Sequence, residues 1–297
     1  MRVSPQSLAV AGCATLFALT VIGCSNDSAA PSSMLLTQAQ ADSIGEELSF
    51  DAEDEISGAT ASGATAAGYS AAAQAEPASP PPGCMPARSP ASPTDTDADG
   101  VPDSVRLDFT SCVYGWPLET DTIRGTVFVL DPTRSLADHA VERIFGNLVH
   151  VRLYNVSGKT TSETRNGTRM TSRDSTALSN QETNFRTDYV FRDGGSATHV
   201  KTWTSNFTAD VAGSIQKDQA LPSGLWSISG TSSWTRGPNT YSLTVTTSPA
   251  LHYNAGCTSF PRFDAGALTA VVSRNGQTMH VTIAFTACGQ APTITRS

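Results

Sequence analysis

Regularly spaced aspartates form the one short stretch of this chain whose chemistry stands out. A glycine follows the third of the four aspartates, and a strand-like run begins directly after the stretch. Carboxylates at alternating positions supply the oxygen ligands that Ca²⁺ prefers, while the glycine permits a sharp turn and a following backbone carbonyl adds a ligand. We therefore predict a structural calcium site formed by Asp95, Asp97, Asp99, the Val101 carbonyl and Asp103.

The same stretch also suits a solvated acidic turn, because Asp and Gly favour turns without any ion. The loop resembles the calcium loops of thrombospondin type 3 repeats and the first nine positions of an EF-hand loop. It departs from the EF-hand pattern at the twelfth position, where Arg106 replaces the bidentate glutamate, and no helical pattern flanks it. The resemblance covers one copy only, and it implies an extracellular, calcium-stabilised module.

The N-terminus carries the features of a bacterial export signal. Residues 1–23 combine a basic start with an apolar centre too short for a stable membrane span, and Cys24 follows a small residue. The ending Val21-Ile22-Gly23-Cys24 resembles a lipobox, which implies lipidation of Cys24. An ordinary signal peptide with a chance cysteine is the alternative. Ser25 is not an acidic inner-membrane retention signal, so the prediction is an outer-membrane lipoprotein.

Residues 24–93 are predicted to be a tether. Within it, residues 36–55 show an imperfect apolar stripe at helical spacing beside many acidic side chains. We expect a solvated acidic helix or a partly disordered tail there, with a partner-docking helix as the alternative. Residues 58–93 are almost wholly Ala, Ser, Gly and Pro, and such a composition predicts an extended, unfolded spacer.

The charge distribution separates this tether from the rest of the chain. Residues 1–93 carry two basic and nine acidic side chains, whereas residues 94–297 carry seventeen basic and eighteen acidic side chains. The second part is therefore nearly neutral, and it shows no electrostatic footprint for nucleic acid.

Four cysteines remain after the signal and the lipidation site are set aside. An even number of cysteines in an exported chain predicts disulfides, and three pairings are possible. We favour Cys84–Cys112, which closes a loop around the aspartates, and Cys257–Cys288, which brackets the last hairpin. No CxxC or Cys-His spacing supports a metal-thiolate site.

Residues 94–297 are predicted to form an all-β domain. Apolar and polar residues alternate in many short runs, and turn signals such as Asn166-Gly167, Gly237-Pro238 and Asn275-Gly276 separate them. About ten to twelve strands imply a large antiparallel meander, as a partly open sheet, a barrel or a sandwich, and we favour the open sheet. Residues 159–184 have little to bury, so we expect them to extend beyond the core or to be wet on both faces. Residues 135–145 form the domain's one helix candidate.

A further resemblance comes from strand ends. Leu107-Asp108-Phe109-Thr110-Ser111-Cys112 and Ile283-Ala284-Phe285-Thr286-Ala287-Cys288 both end in Phe-Thr-small-Cys. Together with the acidic loop, this arrangement resembles uncharacterised secreted lipoproteins of environmental bacteria, and the resemblance implies no known activity.

No catalytic motif is present in the sequence. HExxH, GxSxG, a P-loop and GxGxxG are all missing, and the five histidines are scattered. The tryptophans could line a carbohydrate or lipid site, but core packing is the better expectation for Trp116, Trp203, Trp226 and Trp234.

Two functional hypotheses follow. The first is a non-enzymatic cell-envelope lipoprotein whose calcium-stabilised sheet binds or scaffolds an unidentified ligand. The second is an envelope hydrolase acting on glycans or lipids, with a site assembled from residues far apart in sequence. A pocket with two carboxylates, or with Ser, His and an acid in contact, favours the hydrolase. A shallow face without such groups favours the binding protein.

Overall fold

Alternation of apolar and polar residues produces one large antiparallel sheet, as predicted. The computed structural model describes residues 35–61, 86–116, 119–133, 139–154, 158–191, 194–215 and 220–297. Those residues contain one helix and fourteen strands: α1 (Gln38–Ala61), β1 (Ala87–Ser89), β2 (Ser104–Trp116), β3 (Glu119–Leu130), β4 (His139–Tyr154), β5 (Lys159–Arg173), β6 (Ala177–Val190), β7 (Ser196–Ala209), β8 (Gly224–Arg236), β9 (Asn239–Thr247), β10 (Leu251–Tyr253), β11 (Phe263–Ala265), β12 (Ala267–Arg274), β13 (Gln277–Ala284) and β14 (Thr293–Arg296).

The sheet is a meander with a single side branch. Each strand from β1 to β9 pairs with the next, and the path then continues through β12, β13 and β14. The short β10 pairs with β8 and β11 beside this path. Because β1 and β14 do not pair with each other, the sheet is not closed, which confirms the predicted antiparallel meander in its open form.

Two of the predicted turns are confirmed at hairpins. Arg274 pairs with Gln277 across Asn275 and Gly276, whose φ angles of 51° and 76° are those of a tight two-residue hairpin turn. The turn at Gly237 likewise separates β8 from β9.

The prediction of a turn at Asn166-Gly167 is wrong. Both residues lie inside β5, at a shift of register between β5 and β6. Gly167 has φ of 130°, and a Cβ there would lie 2.8 Å from Phe185 Cα, so only glycine permits this close approach. Similar register shifts interrupt the β3–β4, β4–β5 and β6–β7 pairings. Bulges of this kind bend the strands, so the Asn-Gly pair bends the sheet instead of reversing the chain.

The helix predicted for residues 135–145 is also wrong from residue 139 onward. His139 begins β4, a strand of sixteen residues that pairs with β3 and β5 along its length. Val141 and Phe145 are buried on one face of that strand. Their spacing of four suits a strand as well as a helix, and pairing on both edges decides the outcome.

Helix α1 begins with a capping box. Gln40 N donates to Thr37 Oγ1 at 3.3 Å, and Thr37 N donates to Gln40 Oε1 at 2.9 Å, so two unpaired N–H groups of the first turn are satisfied. The helix continues to Ala61, beyond the predicted end at residue 55 and into residues predicted to be spacer.

The expectation of a solvated helix or a disordered tail is wrong. The compact unit of this chain runs from Leu35 to Ser297, and α1 packs on the sheet within it. Buried side chains of the helix recur at helical spacing: Ala41, Ile44, Leu48, Ala52 and Ile56. Burial of each of the larger ones contributes about 1.5–3 kcal/mol. Gly45 permits the closest approach, because a Cβ there would lie 2.8 Å from the Ile294 side chain.

Two apolar cores result. The larger lies between α1 and the strands from β6 onward, and its centre includes Phe207, Trp226 and Val245. The smaller is formed mainly by β2, β3 and β4, and the side chain of Val101 joins it from the acidic loop. Strand β1 pairs with β2 along this second core, so residues 87–89 are an edge strand and not part of an extended spacer.

Candidate functional site

The acidic loop brings its first three aspartates together. One carboxylate oxygen from each of Asp95, Asp97 and Asp99 lies within 4.8 Å of the others. Gly100 has φ of 93°, and its N–H donates to Asp95 Oδ2 at 2.9 Å. Val101 N donates to Asp99 Oδ1 at 2.6 Å. These hydrogen bonds fold the loop around its own carboxylates, which is the arrangement predicted from their spacing.

Asp103 occupies a different position in the same loop. Its carboxylate accepts hydrogen bonds from Thr96 N at 2.9 Å and from Thr96 Oγ1 at 2.6 Å. Asp103 N donates to the Thr94 carbonyl at 2.8 Å, which closes the loop at its base. Asp103 therefore braces the loop, while Asp95, Asp97 and Asp99 form the cluster of carboxylates.

A fifth acid, Asp131, was missed in the sequence. It directly follows β3, and its N–H donates to the Asp103 carbonyl at 3.4 Å because the β2–β3 pairing places Ser104 opposite Leu130. Burial, followed by the nearby Asp99, Asp97 and Asp103, raises the pKa of Asp131. The register of the β2–β3 hairpin is the signal that could have identified it, since the residue after Leu130 must face Asp103.

The donor atoms of this loop suit a hard cation. Asp97 Oδ2 and Asp131 Oδ2 are shielded from solvent and have no hydrogen-bond donor among the described residues. Closely spaced carboxylates repel one another, and a divalent cation relieves that repulsion while supplying the missing partner. Ca²⁺ would be held by Asp95, Asp97 and Asp99, with the Val101 carbonyl next in the loop. The side chain of Val101 is buried in the smaller core, so the loop is fixed to the sheet.

A second group of acids lies under α1, where sequence analysis predicted wet surfaces. We call it the ionic cluster: Asp51, Asp54 and Glu55 of α1, Arg165 and Arg169 of β5, Glu182 of β6, and His199 and Lys201 of β7. Arg169, Glu182 and Lys201 are each no more than 1% exposed. The acidic side of α1 therefore covers one face of strands β5 and β6, so these strands are not exposed to solvent on both faces.

Arg169 connects the helix to two strands. Its Nη2 atom lies 2.5 Å from Asp54 Oδ2 and 2.5 Å from Glu182 Oε1, while its Nε donates to the same Glu182 oxygen at 2.9 Å. Burial would raise the pKa of Asp54, but Arg165 and Arg169 lower it below its ordinary value. A guanidinium forms such multiple bonds because its donors lie in one rigid plane.

Lys201 is the second cation at the centre of the cluster. Its Nζ lies 3.0 Å from Asp51 Oδ1, 3.0 Å from Glu182 Oε2 and 3.8 Å from Glu55 Oε1. Burial alone would raise the pKa of Asp51, but Lys201 and His199 lower it to about 2. His199 Nδ1 lies 2.8 Å from the other Asp51 oxygen, so both oxygens of this carboxylate face positive or polar groups.

Glu55 is the acid that the cluster holds in its neutral form. Its Oε2 accepts hydrogen bonds from Ser205 Oγ at 2.8 Å and from Asn180 Nδ2 at 3.2 Å. Burial, together with the adjacent Glu182 carboxylate, raises the pKa of Glu55 to about 8. A protonated Glu55 donates to Glu182 and avoids a second buried negative charge.

Further polar contacts hold the middle of α1 on the sheet. Glu47 accepts a hydrogen bond from Trp234 Nε1, and burial raises the pKa of this glutamate to about 8. Six residues farther along the helix, Glu53 Oε2 lies 3.1 Å from Arg262 Nε. The helix is therefore held along its length by its acidic side chains as well as by its apolar ones.

The histidines pair with carboxylates in three separate places. Besides His199, His150 Nε2 lies 2.7 Å from Asp121, and His252 lies 2.6 Å from Asp264 and 3.0 Å from Asp210. Hydrogen bonds that the His252 ring donates to Asp210 and Asp264 raise the pKa of His252. These three histidines lie on different strands, so their contacts do not form one site.

The predicted disulfide between Cys257 and Cys288 is confirmed, with a Cα–Cα distance of 5.8 Å. Cys112 is also disulfide-bonded. Its predicted partner Cys84 lies outside the described residues, as do Cys24 and the whole predicted signal, so that pairing and the lipidation stay predictions.

Three of the tryptophans lie in the core, as expected. Trp203, Trp226 and Trp234 are at most 2% exposed. The side chain of Trp116 lies outside the described residues.

The outer face of β7, β8 and β9, opposite α1, is rich in hydroxyl groups. Exposed residues on these strands are mostly Thr and Ser, and the strand pairing aligns them in rows. We call this surface the hydroxyl face. One row contains Thr202, Thr231 and Thr244, and the next contains Thr204, Ser229 and Thr246. Adjacent strands lie about 4.8 Å apart, so each row is a regular ladder of hydroxyl groups without charge.

Comparison with known proteins gives no relative. No protein-family model matches the chain, and no curated protein or solved structure shows significant similarity to it. No helix in the described part of the chain combines the length and apolar character that crossing a membrane requires.

Proposed function

We propose that this protein is a non-enzymatic lipoprotein of the bacterial cell envelope. Lipid on Cys24 anchors it to the outer membrane, and its β-sheet binds or scaffolds an envelope ligand. The export signal and the lipobox-like ending support the location. The hydroxyl face is the observation that carries the binding role, because it is a broad, uncharged polar surface on the side of the sheet opposite α1.

The chemistry of the hydroxyl face favours a neutral, hydroxyl-rich polymer such as an envelope glycan. Threonine and serine both donate and accept hydrogen bonds, so aligned rows of them match a repeating polyhydroxyl chain. A strongly charged ligand has no counterpart there, since Thr204, Ser229 and Thr246 are neutral.

A sedimentation experiment tests this role. The full-length protein is incubated with purified, insoluble envelope glycan, and bound protein is measured in the pellet. The Thr204→Val, Thr246→Val chain should lose binding, because valine keeps the shape of threonine and removes its hydroxyl. Thr160→Val, on the exposed part of β5, is the matched control and should bind as the wild type does. Equal binding by all three chains contradicts the assignment to the hydroxyl face.

We propose that calcium stabilises the acidic loop and, through Val101, the smaller core. An extracellular site with a Kd of about 10⁻⁴–10⁻³ M adds roughly 1.4–2.7 kcal/mol to the free energy of unfolding in 10 mM Ca²⁺. The melting temperature should therefore rise with Ca²⁺, and Asp97→Ala, Asp99→Ala should abolish that rise. Asp210→Ala, at an exposed acid elsewhere, should leave it unchanged. A wild-type melting temperature that is the same in Ca²⁺ and in chelator would refute the calcium site.

Cellular fractionation tests the anchor. Cys24→Ser should release the protein from the membrane fraction, because no acyl chain can then be attached. Fractionation identical to that of the wild type contradicts lipidation at Cys24.

A further inference from the structure

The ionic cluster places an amine and a carboxylate of two different elements in contact. Lys201 Nζ lies 3.0 Å from Asp51 Oδ1, and Lys201 belongs to β7 whereas Asp51 belongs to α1. Lys201 is 1% exposed and Asp51 is 5% exposed. Both groups are thus held in one geometry away from water, and held proximity of this kind accelerates reactions between two groups.

The surroundings of Lys201 are aromatic on one side and acidic on the other. The Phe185 and Trp203 ring centroids lie 5.5 and 4.8 Å from Nζ. Glu182 Oε2 lies 3.0 Å from Nζ and Glu55 lies 3.8 Å away. A buried amine therefore has a carboxylate beside it that can accept its proton, within a region that excludes water.

We propose that Lys201 and Asp51 condense to an intramolecular amide bond, which joins α1 covalently to β7. One proton first passes from the Lys201 ammonium to Asp51 Oδ1 within their contact, and the resulting amine attacks the neutral acid at Asp51 Cγ. The new bond joins Nζ to Cγ, and the bond between Cγ and Oδ1 breaks. Glu182 accepts the second proton from Nζ and returns it to Oδ1, which already carries the first, so Oδ1 leaves as water with the two protons that Nζ has lost. The ammonium and the carboxylate thus become one amide and one water, without any oxidant, reductant or further reactant.

The remaining neighbours have defined parts in this step. His199 Nδ1 lies 2.8 Å from Asp51 Oδ2, the oxygen that stays on the carbon, so it can stabilise negative charge there. Burial favours a neutral Glu55, so Glu182 is the carboxylate that accepts a proton from Nζ.

The starting state is an ion pair, and its conversion relieves a buried charge pair. Burial would lower the pKa of Lys201, but Asp51, Glu182 and Glu55 raise it. A proton must therefore move from Nζ to Asp51 before the amine can attack, which makes the reaction a slow, single maturation event. Amide formation removes the positive charge of Lys201 and the negative charge of Asp51 from a site where both are costly to hold.

Peptide mapping of the full-length protein tests the proposal. The denatured, reduced chain is digested with trypsin and with a protease that cleaves after glutamate. An amide on Lys201 blocks tryptic cleavage after that residue, so the peptide 48–53 should remain joined to the peptide 193–217. The mass of this branched product should equal the sum of the two peptides less one water. A linear peptide 48–53 together with complete cleavage after Lys201 overturns the proposal, and this outcome can be measured on the wild type alone.

Three variants identify the groups that carry the reaction. Lys201→Arg keeps a cation but removes the nucleophile, so the branched product should disappear. Glu182→Gln should also lose the product or form it far more slowly, because an amide cannot accept the second proton from Nζ. Lys159→Arg, at an exposed lysine of β5, is the matched control and should retain the full yield. Undiminished product in the folded Glu182→Gln chain overturns the role of Glu182.

Discussion

The ionic cluster and the acidic loop both concentrate carboxylates, but they neutralise them in different ways. In the cluster, the carboxylates of α1 and β6 face Arg165, Arg169 and Lys201, which come from β5 and β7. In the loop, the electrostatic neighbours of Asp131 are other aspartates. The first group contains its own countercharges, whereas for the second we propose that a cation from solution supplies the countercharge.

This difference also separates two kinds of stabilisation. The cluster holds α1 on the sheet through residues more than a hundred positions apart in sequence, as in the bond from Arg169 to Asp54. The loop is organised by hydrogen bonds within ten residues, such as the one from Gly100 to Asp95. Breaking the cluster should therefore affect the whole fold, and altering the loop should change its response to a cation.

The largest effect is expected from Arg169→Met. Asp54 and Glu182 would lose a buried partner, and an uncompensated buried charge costs about 3–5 kcal/mol of unfolding free energy. Arg186→Met is the matched control on β6, because Arg186 pairs with Asp188 at the exposed surface and such pairs contribute about 0–1 kcal/mol. Denaturant unfolding measures both. Adding Glu182→Met to Arg169→Met should restore part of the loss, and equal losses for Arg169→Met and Arg186→Met contradict the buried cluster.

A second large effect is expected from the apolar side of α1. Leu48 is 1% exposed, so Leu48→Ala should lower the free energy of unfolding by about 2–5 kcal/mol. Phe50 is 71% exposed on the same helix, and Phe50→Ala should change it by less than about 0.5 kcal/mol. Denaturant unfolding again measures both. A small effect at both positions is the result expected of a solvated helix, and it contradicts the packing of α1 on the sheet.

The acids held neutral under α1 predict a specific dependence on pH. The pKa values of Glu47 and Glu55 rise to about 8 in the folded protein from an ordinary value of 4.5. The folded state therefore binds more protons than the unfolded state between these values, and the free energy of unfolding falls as pH rises through this window. Asp54, whose pKa is lowered, contributes stability that is lost only as pH falls below about 4. The melting temperature should thus be higher at pH 6 than at pH 9.

Two variants assign this dependence. Glu55→Gln keeps the hydrogen bonds to Ser205 and Asn180 without an ionisable group, so it should remove roughly 1–3 kcal/mol of the decline between pH 6 and pH 9. Glu46→Gln, at an exposed position of the same helix, should leave the decline unchanged. Melting curves at several pH values give the slope, and a wild-type stability that rises from pH 6 to pH 9 contradicts a neutral Glu55.

The two regions differ in how far the sequence could predict them. The loop was predictable because Asp95, Asp97 and Asp99 act at short range, where spacing and turn chemistry determine the geometry. Asp131 was not, since its position depends on the register of the β2–β3 hairpin. The strands were also predictable, because the alternation of apolar and polar residues is a local pattern. The bulge at Asn166-Gly167 was not, because it depends on the contact with Phe185, which no local pattern reveals.

The ionic cluster was beyond local reasoning for a further reason. Charged side chains usually lie at the protein surface. By that rule, the acidic residues of α1 and the polar strands β5 and β6 were each predicted to be solvated. They satisfy one another only when the helix lies on the sheet. The useful signal was the coincidence of an acidic helix with strands whose alternate residues, such as Arg165 and Arg169, are basic. Two segments that are too polar for an apolar core and carry opposite charges are candidates for contact with each other.

The smallest expected effect is also the sharpest test of the contrast between the two regions. Asp131→Asn removes a negative charge from beside Asp97, Asp99 and Asp103, whose proximity contributes to the raised pKa of Asp131. In chelator the variant should be slightly more stable than the wild type, by about 0.2–1 kcal/mol, because like charges in a partly exposed loop repel only weakly. In Ca²⁺ the sign should reverse, since an amide is a poorer ligand than a carboxylate and the stabilisation by the ion is reduced. Asp188→Asn, at an acid paired with Arg186, is the control and should show no such reversal. Melting temperatures of the three chains, with and without Ca²⁺, decide the matter: if Asp131→Asn has the same sign in both conditions, Asp131 belongs to a solvated turn and the loop does not require a cation from solution.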